Sequence, residues 1–199
     1  MTSRGYTLIE LLIVLAIIAI LLIALAMSFE GWRGKYRVES QVQQLYTDLL
    51  EARARAMQRN RAHFVDFTTQ TSYAVYDDDS DGAVKVTDGD RLLQVGAGPS
   101  ADTLLPGYPR TVEYRMTYGT SGLAQARIDM DRRGIITSVL AGAISPNLTI
   151  CLFTDNDADG ASDLDPDYDC LAVSETRINM GKLNSQAAGD CDADHCIEK

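Results

Sequence analysis

From Leu11 to Met27 every position is apolar, seventeen residues of Leu, Ile, Val, Ala and one Met. At the helical rise, that run with its weakly polar flanks is roughly long enough to cross a hydrocarbon core of about 30 Å. From Phe29 to about Asn60 the pattern becomes one-sided. Val38, Val42, Leu45, Leu49, Ala52 and Ala56 recur at alternating steps of four and three, while Glu39, Gln43, Asp48, Glu51 and Arg55 take other faces. The two patterns join into one predicted helix of roughly 55 residues, about 80 Å long. Its first half has no soluble domain to lean on, and its second half carries an apolar stripe for a sheet. Gly31 and Gly34 are poor helix residues and are expected to loosen the junction. The heptad-like spacing ends after about three repeats, so the helix is expected to pack on its own domain rather than in a coiled coil.

After Arg61 the period changes to two. Ala62 to Thr68 and Ser72 to Tyr76 read as strands around a Thr-Thr-Gln-Thr turn. Arg110 to Tyr118 has the cleanest alternation, with Val112, Tyr114, Met116 and Tyr118 on one face. Gln125 to Asp131 and Ile135 to Leu140 form a predicted hairpin around Asp131-Arg-Arg-Gly134. Leu148 to Thr154 and Leu171 to Met180 supply two more strands, and residues 96–100 and 105–109 read as loops. One long helix followed by about seven short strands in hairpins predicts an α+β fold, the helix packed on an antiparallel β-sheet domain.

Roughly 138 residues follow Arg61, enough for a single buried core. The formal net charge of −10 argues against a general nucleic-acid binder, which carries a basic patch. Arg53, Arg55, Arg59 and Arg61 do cluster, but at a helix C-terminus, where cations are favoured and are expected to solvate the face. Arg33, Lys35 and Arg37 follow the apolar run and leave positive-inside counting ambiguous.

The apolar run is longer than the core of a secretory signal peptide, and no A-x-A-like site stands cleanly behind it. A plain anchor leaves Glu10 unexplained, because a carboxylate beside the bilayer core costs a few kcal/mol and needs a partner or a role. The sequence Met1-Thr2-Ser3-Arg4-Gly5, then Tyr6, then Thr7-Leu8-Ile9-Glu10 closely resembles a type IV prepilin leader. The resemblance implies cleavage between Gly5 and Tyr6 by a membrane prepilin peptidase and N-methylation of the new amine. It also implies that Glu10 meets the Tyr6 amine of a neighbouring subunit, a pairing that makes a buried charge tolerable. Tyr6 stands where Phe is more usual, and Met27 where many members carry a helix-bending Pro, so no proline kink is expected.

Within that superfamily the chain resembles the minor-pseudopilin branch, the GspH/FimT type. The likeness rests on the helix ending Glu51-Ala-Arg-Ala-Arg-Ala-Met-Gln-Arg-Asn-Arg61, on Tyr73-Ala-Val-Tyr76 running into an acidic loop, and on the Arg-Arg-Gly134 turn. It implies a leader (1–5), a transmembrane and filament-core helix (6–30), an amphipathic continuation (31–61) and a β-rich periplasmic or extracellular domain (62–199). The implied location is the bacterial inner membrane, single pass, with the leader inside. The implied partners are other pilins or pseudopilins through the helix, and the prepilin peptidase. FimT-type members that take up DNA resemble one another in a basic C-terminal segment. Here Gly189 to Lys199 is acidic, and no nucleic-acid partner is expected.

A domain delivered beyond the inner membrane meets an oxidising compartment, where four cysteines, Cys151, Cys170, Cys191 and Cys196, point to two disulfides. Three pairings are open; Cys151–Cys170 with Cys191–Cys196 is preferred, as a staple on a loose C-terminal tail. A zinc site at 191–196 lacks a C-x-x-C pair and a second ligand cluster.

Asp77-Asp-Asp79-Ser-Asp81-Gly82 and Asp155-Asn-Asp157-Ala-Asp159-Gly160 both match D-x-D-x-D-G, in which alternate carboxylates and a sixth-place Gly suit Ca²⁺. Asp88 fills the twelfth place of the first loop, with Lys85 wrong in charge at the ninth. The second has Asp163 at the ninth and Pro166 at the twelfth, flanked by Asp165 and Asp167. The competing reading is an acidic turn, where Asp and Gly are favoured anyway.

No catalytic constellation stands out around His63 or His195, and an enzyme is not expected. The sequence reads as a minor pilin or pseudopilin, assembled into a type II secretion pseudopilus or a type IV pilus. The alternative is a single-pass anchored calcium-binding surface module whose leader stays uncleaved.

Overall fold

The computed structural model describes residues 7–78, 103–119, 126–140, 143–145, 147–155, 162–185 and 191–199, with helix side chains described for 7–22 and 31–59. A single helix, α1 (Leu8–Arg59), runs through Gly31 and Gly34 without a break. It ends at Asn60, whose φ of 53° puts it in the left-handed region and lets its N–H reach the Ala56 carbonyl. Gly34 leaves room for a neighbouring side chain. A Cβ at this position would come within 2.8 Å of a Leu164 methyl, so the missing side chain lets the 162–169 segment lie against the helix.

The β-rich part forms two antiparallel sheets. The first contains β1 (His63–Thr69), β2 (Ser72–Asp77), β3 (Thr103–Leu104), β4 (Arg110–Thr111), β6 (Ala126–Met130), β7 (Ile136–Leu140) and β8 (Ala143–Ser145). Its order is β3-β2-β1-β6-β7-β8, with β4 also on the β2 edge. The second runs β12-β11-β10-β9-β5, where β5 is Arg115–Tyr118, β9 Asn147–Phe153, β10 Cys170–Ser174, β11 Ile178–Leu183 and β12 Cys196–Glu198. The fold is α+β, as expected. The β1–β2 and β6–β7 hairpins fall where the alternation put them. In the second, Gly134 has a φ of +79° at the turn, and the Asp131 carboxylate accepts the N–H groups of Arg133 and Ile135, both at 2.8 Å.

All six stripe positions of α1, from Val38 to Ala56, are buried. They pack with Val65, Phe67, Val75, Ile128 and Met130 of the first sheet and Leu148, Ile150, Leu152, Leu171 and Val173 of the second. The core therefore sits between one helix face and the inner faces of both sheets, where burial contributes roughly 1.5–3 kcal/mol for each large side chain.

Two of the expected strands need correction. Arg110 to Tyr118 is not one strand: Arg110–Thr111 pairs with β2, whereas Arg115–Tyr118 pairs with β9 in the other sheet. Its alternation is genuine, but the chain crosses between sheets at residues 112–114. There the Glu113 N–H finds its acceptor on α1, the Gln41 side chain, at 3.1 Å. Leu171 to Met180 is likewise two strands, β10 and β11, joined by a turn at 175–177 and paired with each other. The short strands β8 and β12 had no legible signal, being only three residues each.

The arginine cluster does more than solvate the helix end. Arg53 donates to the carbonyls of Gly134 (2.8 Å) and Thr176 (2.9 Å), and Arg59 pairs with Asp77 at 3.0 Å. These side chains tie the helix terminus to both sheets.

The disulfides are Cys151–Cys191 and Cys170–Cys196, not Cys151–Cys170 and Cys191–Cys196. Cys151 and Cys170 stand directly opposite each other on β9 and β10, on the sheet face away from the core. Each reaches up to the tail laid over that face instead of across to its neighbour. A Cys191–Cys196 link would close only a few residues. The observed links span 40 and 26 residues, and longer closures remove more unfolded-state entropy.

Candidate functional site

Two residue sets carry the chemistry that the sequence singles out: the start of α1 and the acidic loops. Helix α1 begins with Thr7 as N-cap, in extended conformation, its Oγ1 accepting the Glu10 N–H at 3.3 Å. Thr7-Leu-Ile-Glu10 has the spacing of a capping box, in which a Glu three residues past the cap stabilises the first turn. The Glu10 carboxylate also sits against the positive end of the helix dipole. The cap and the charge are thus one local device, legible in the S/T-x-x-E spacing. Gly5 and Tyr6 lie outside the described residues.

Around Glu10 the helix is an apolar rod. Leu8, Ile9, Leu11, Leu12, Ile13 and the large residues onward to Leu22 are all exposed, from 46% at Ile18 to 84% at Leu8. A helix apolar on every side needs lipid or other protein around it. Among the described residues no helix is long and apolar enough to cross a membrane, the described side chains of the run ending at Leu22.

The other half of α1 is clamped to the β-domain. Asp48 is buried on the helix. It accepts a hydrogen bond from the Tyr73 hydroxyl at 2.6 Å and pairs with Arg110 at 3.2 Å. Burial and the Asp48 carboxylate push the Tyr73 hydroxyl far above its ordinary range, so it stays a donor. Tyr108 covers the Arg110 guanidinium at 5.3 Å. Nearer the apolar run, Glu39 accepts the Asp167 N–H at 2.8 Å and Arg37 pairs with Glu113 at 2.9 Å. In the sequence Asp48 lies off the apolar stripe. A carboxylate adjoining a buried Leu49 was the only hint of the clamp.

Of the first acidic loop, Asp77 closes β2, pairs with Arg59 and faces His63 at 3.9 Å; Asp79, Asp81 and Asp88 lie outside the described residues. Burial holds the His63 imidazole below its ordinary range. Of the second loop, Asp157 and Asp159 lie outside the described residues. Its base is closed by Thr154. That hydroxyl lies 2.7 Å from Ser162 Oγ and accepts the Leu164 N–H at 3.2 Å, while Asp163 N–H donates to the Thr154 carbonyl at 2.6 Å. Asp165 pairs with Lys182 at 2.7 Å. Among the described residues no three His, Cys, Asp or Glu side chains gather to hold a metal ion.

A long helix, exposed and apolar at its start and clamped below to a β-rich domain, defines a pilin-like subunit. Two family profiles match the chain: the prokaryotic N-terminal methylation motif over residues 1–26, and the type II transport protein GspH over residues 41–162. The second spans more than half of the sequence, and the chain belongs to the GspH family of type II transport proteins. It is a pseudopilin or pilin of type II secretion or type IV pilus systems, families of structural subunits rather than enzymes. Neither a search of curated proteins nor one of solved structures returned a match.

Proposed function

We propose that the chain is made as a prepilin, held in the inner membrane by the first half of α1, cleaved between Gly5 and Tyr6, methylated, and drawn into a short pseudopilus or pilus as a minor subunit. The observation that carries this reading is the apolar, exposed start of α1 with Glu10 in its first turn. Leaving lipid for a filament keeps that apolar surface covered, and it stays favourable only if Glu10 finds an opposite charge. The amine freed at Tyr6 of a neighbouring subunit supplies one. The methylation motif over residues 1–26 supports the processing step.

The test is the mass of the N-terminal peptide from cells carrying a prepilin peptidase. A peptide beginning at Tyr6 with an added methyl group supports the reading. One beginning at Met1 or Thr2 overturns it in favour of an uncleaved anchored module.

Calcium in the second acidic loop belongs to the same proposal. With Asp165 engaged by Lys182, the ligands would come from Asp155, Asp157, Asp159 and Asp163, above the base closed by Thr154 and Ser162. In the first loop the corresponding set is Asp79, Asp81 and Asp88, Asp77 being taken by Arg59. Isothermal titration at millimolar Ca²⁺ decides this; no heat and no shift in melting temperature would end the idea.

A further inference from the structure

Five residues after the apolar run ends, α1 carries Trp32 and, one turn on, Tyr36. Both are 65% exposed, and their rings stack at 6.3 Å between centroids. The stripe that faces the β-domain begins at Val38, and at about 100° per residue Trp32 and Tyr36 fall on the opposite side of the helix. Arg33 and Lys35 are interleaved with them, and Arg37 follows, reaching back to Glu113. This is a local excess of positive charge in a chain whose net charge is −10.

Position along the axis matters. Trp32 stands about 7 Å beyond Met27, which is the depth of a headgroup layer just outside a hydrocarbon core, and Tyr36 lies one turn further out, about 13 Å beyond Met27. Trp and Tyr are enriched at that level, because the ring is apolar and its N–H or O–H is wet. Basic side chains there meet lipid phosphates. The segment is also where the domain meets the helix: Leu164 packs over Gly34, and Glu39 holds the Asp167 N–H.

We propose that residues 32–37 form an interfacial collar that binds the headgroup layer of an anionic bilayer. It fixes how deep α1 sits and holds the 162–169 segment of the domain close to the membrane surface. The inference rests on the membrane-anchor reading of the apolar run but goes beyond it, since an anchor alone sets no depth. The occupant is lipid rather than a second copy of the helix. The aromatic pair follows closely on the apolar run along the same helix, and its interleaved cations suit phosphate but would repel the same segment of a like neighbour.

Trp32 is the only tryptophan in the chain, so its fluorescence reports on the collar alone. The full chain is reconstituted at low protein-to-lipid ratio in vesicles of phosphatidylcholine with about one third phosphatidylglycerol, and flotation is scored alongside. Expected are a blue-shifted emission and quenching about twofold stronger by lipids brominated near the carbonyl end of the acyl chains than near the bilayer centre. In a Trp32→Phe/Tyr36→Trp chain the quenching should weaken and the emission move toward red, because the probe has moved one turn outward. Vesicles that float with protein whose Trp32 emits as in water, unquenched, would overturn the collar and leave the anchor standing. Quenching strongest at the bilayer centre would overturn it too, by placing the tryptophan in the core. A blue shift that grows only as protein-to-lipid ratio rises would assign the aromatic pair to a second copy. Protein that fails to float would overturn collar and anchor together.

Discussion

Helix α1 contains two halves with the same backbone and opposite surroundings. Between Leu8 and Leu22 every large side chain is exposed, whereas the six stripe positions from Val38 to Ala56 are all buried. The upper half has apolar residues on all sides and one charge, Glu10. The lower half has apolar residues on one side and carboxylates and arginines that are nearly all engaged: Glu39 with Asp167, Asp48 with Tyr73 and Arg110, Arg53 with Gly134, Arg59 with Asp77. The lesson concerns where stability comes from. The lower half is held by its own chain; the upper half gains nothing from the domain and must be stabilised by lipid or by neighbouring subunits.

Substitutions separate the two. Glu10→Leu should cut incorporation into a sheared filament fraction about a hundredfold, taking about 3 kcal/mol as the loss when one partner of a buried pair is removed. The urea midpoint of the domain should not move. A chain that still assembles normally would deny Glu10 its role. Leu49→Ala should do the reverse, lowering the domain's unfolding free energy by about 2–5 kcal/mol through the cavity it leaves. Leu12→Ala, in the exposed half, should change that value by less than about 0.5 kcal/mol. Equal effects at the two leucines would show that the halves are not independent.

Removing one tail link sharpens the comparison within the domain. Cys170→Ser with Cys196→Ser opens the 26-residue connection, and a loss of about 2–4 kcal/mol is expected in a urea titration read by circular dichroism. Helix packing on the sheets should survive, because the disulfides lie on the far face of the second sheet.

A smaller effect than the disulfide's is expected at Asp169. Burial raises its carboxyl to about 6, against the pull of the Leu183 N–H it accepts at 2.6 Å. Its folded pKa lies above the unfolded one, so the native state binds the proton more tightly. Stability from this group is present at low pH and falls as pH rises from about 4 through 6. Asp169→Asn keeps an acceptor for Leu183 and removes the buried charge. It should gain about 1–2 kcal/mol near pH 7 and flatten the stability profile across that window. Urea midpoints at the two ends of the window check both.

Much of this molecule is local and therefore legible. Helix α1 follows from its two patterns and the β6–β7 turn from Asp131 and Gly134, because each depends on neighbours within a few residues. The Glu10 leader and the GspH likeness are carried by short motifs of the same kind. Partnership across the chain is different. Alternation in Arg110 to Tyr118 fixes which side chains share a face, but not that its two ends serve different sheets. Four cysteines imply two bonds, yet which pairs form depends on the register that sets Cys151 beside Cys170 and on the tail that crosses over both. Gly34 reads as a weak point in a helix until Leu164 is seen against it. Sequence determined the long helix, the β1–β2 and β6–β7 hairpins and the charge at the head of the helix, since local sterics and periodicity act over one or two turns. Only tertiary structure decided what each element touches, because those contacts join residues tens of positions apart.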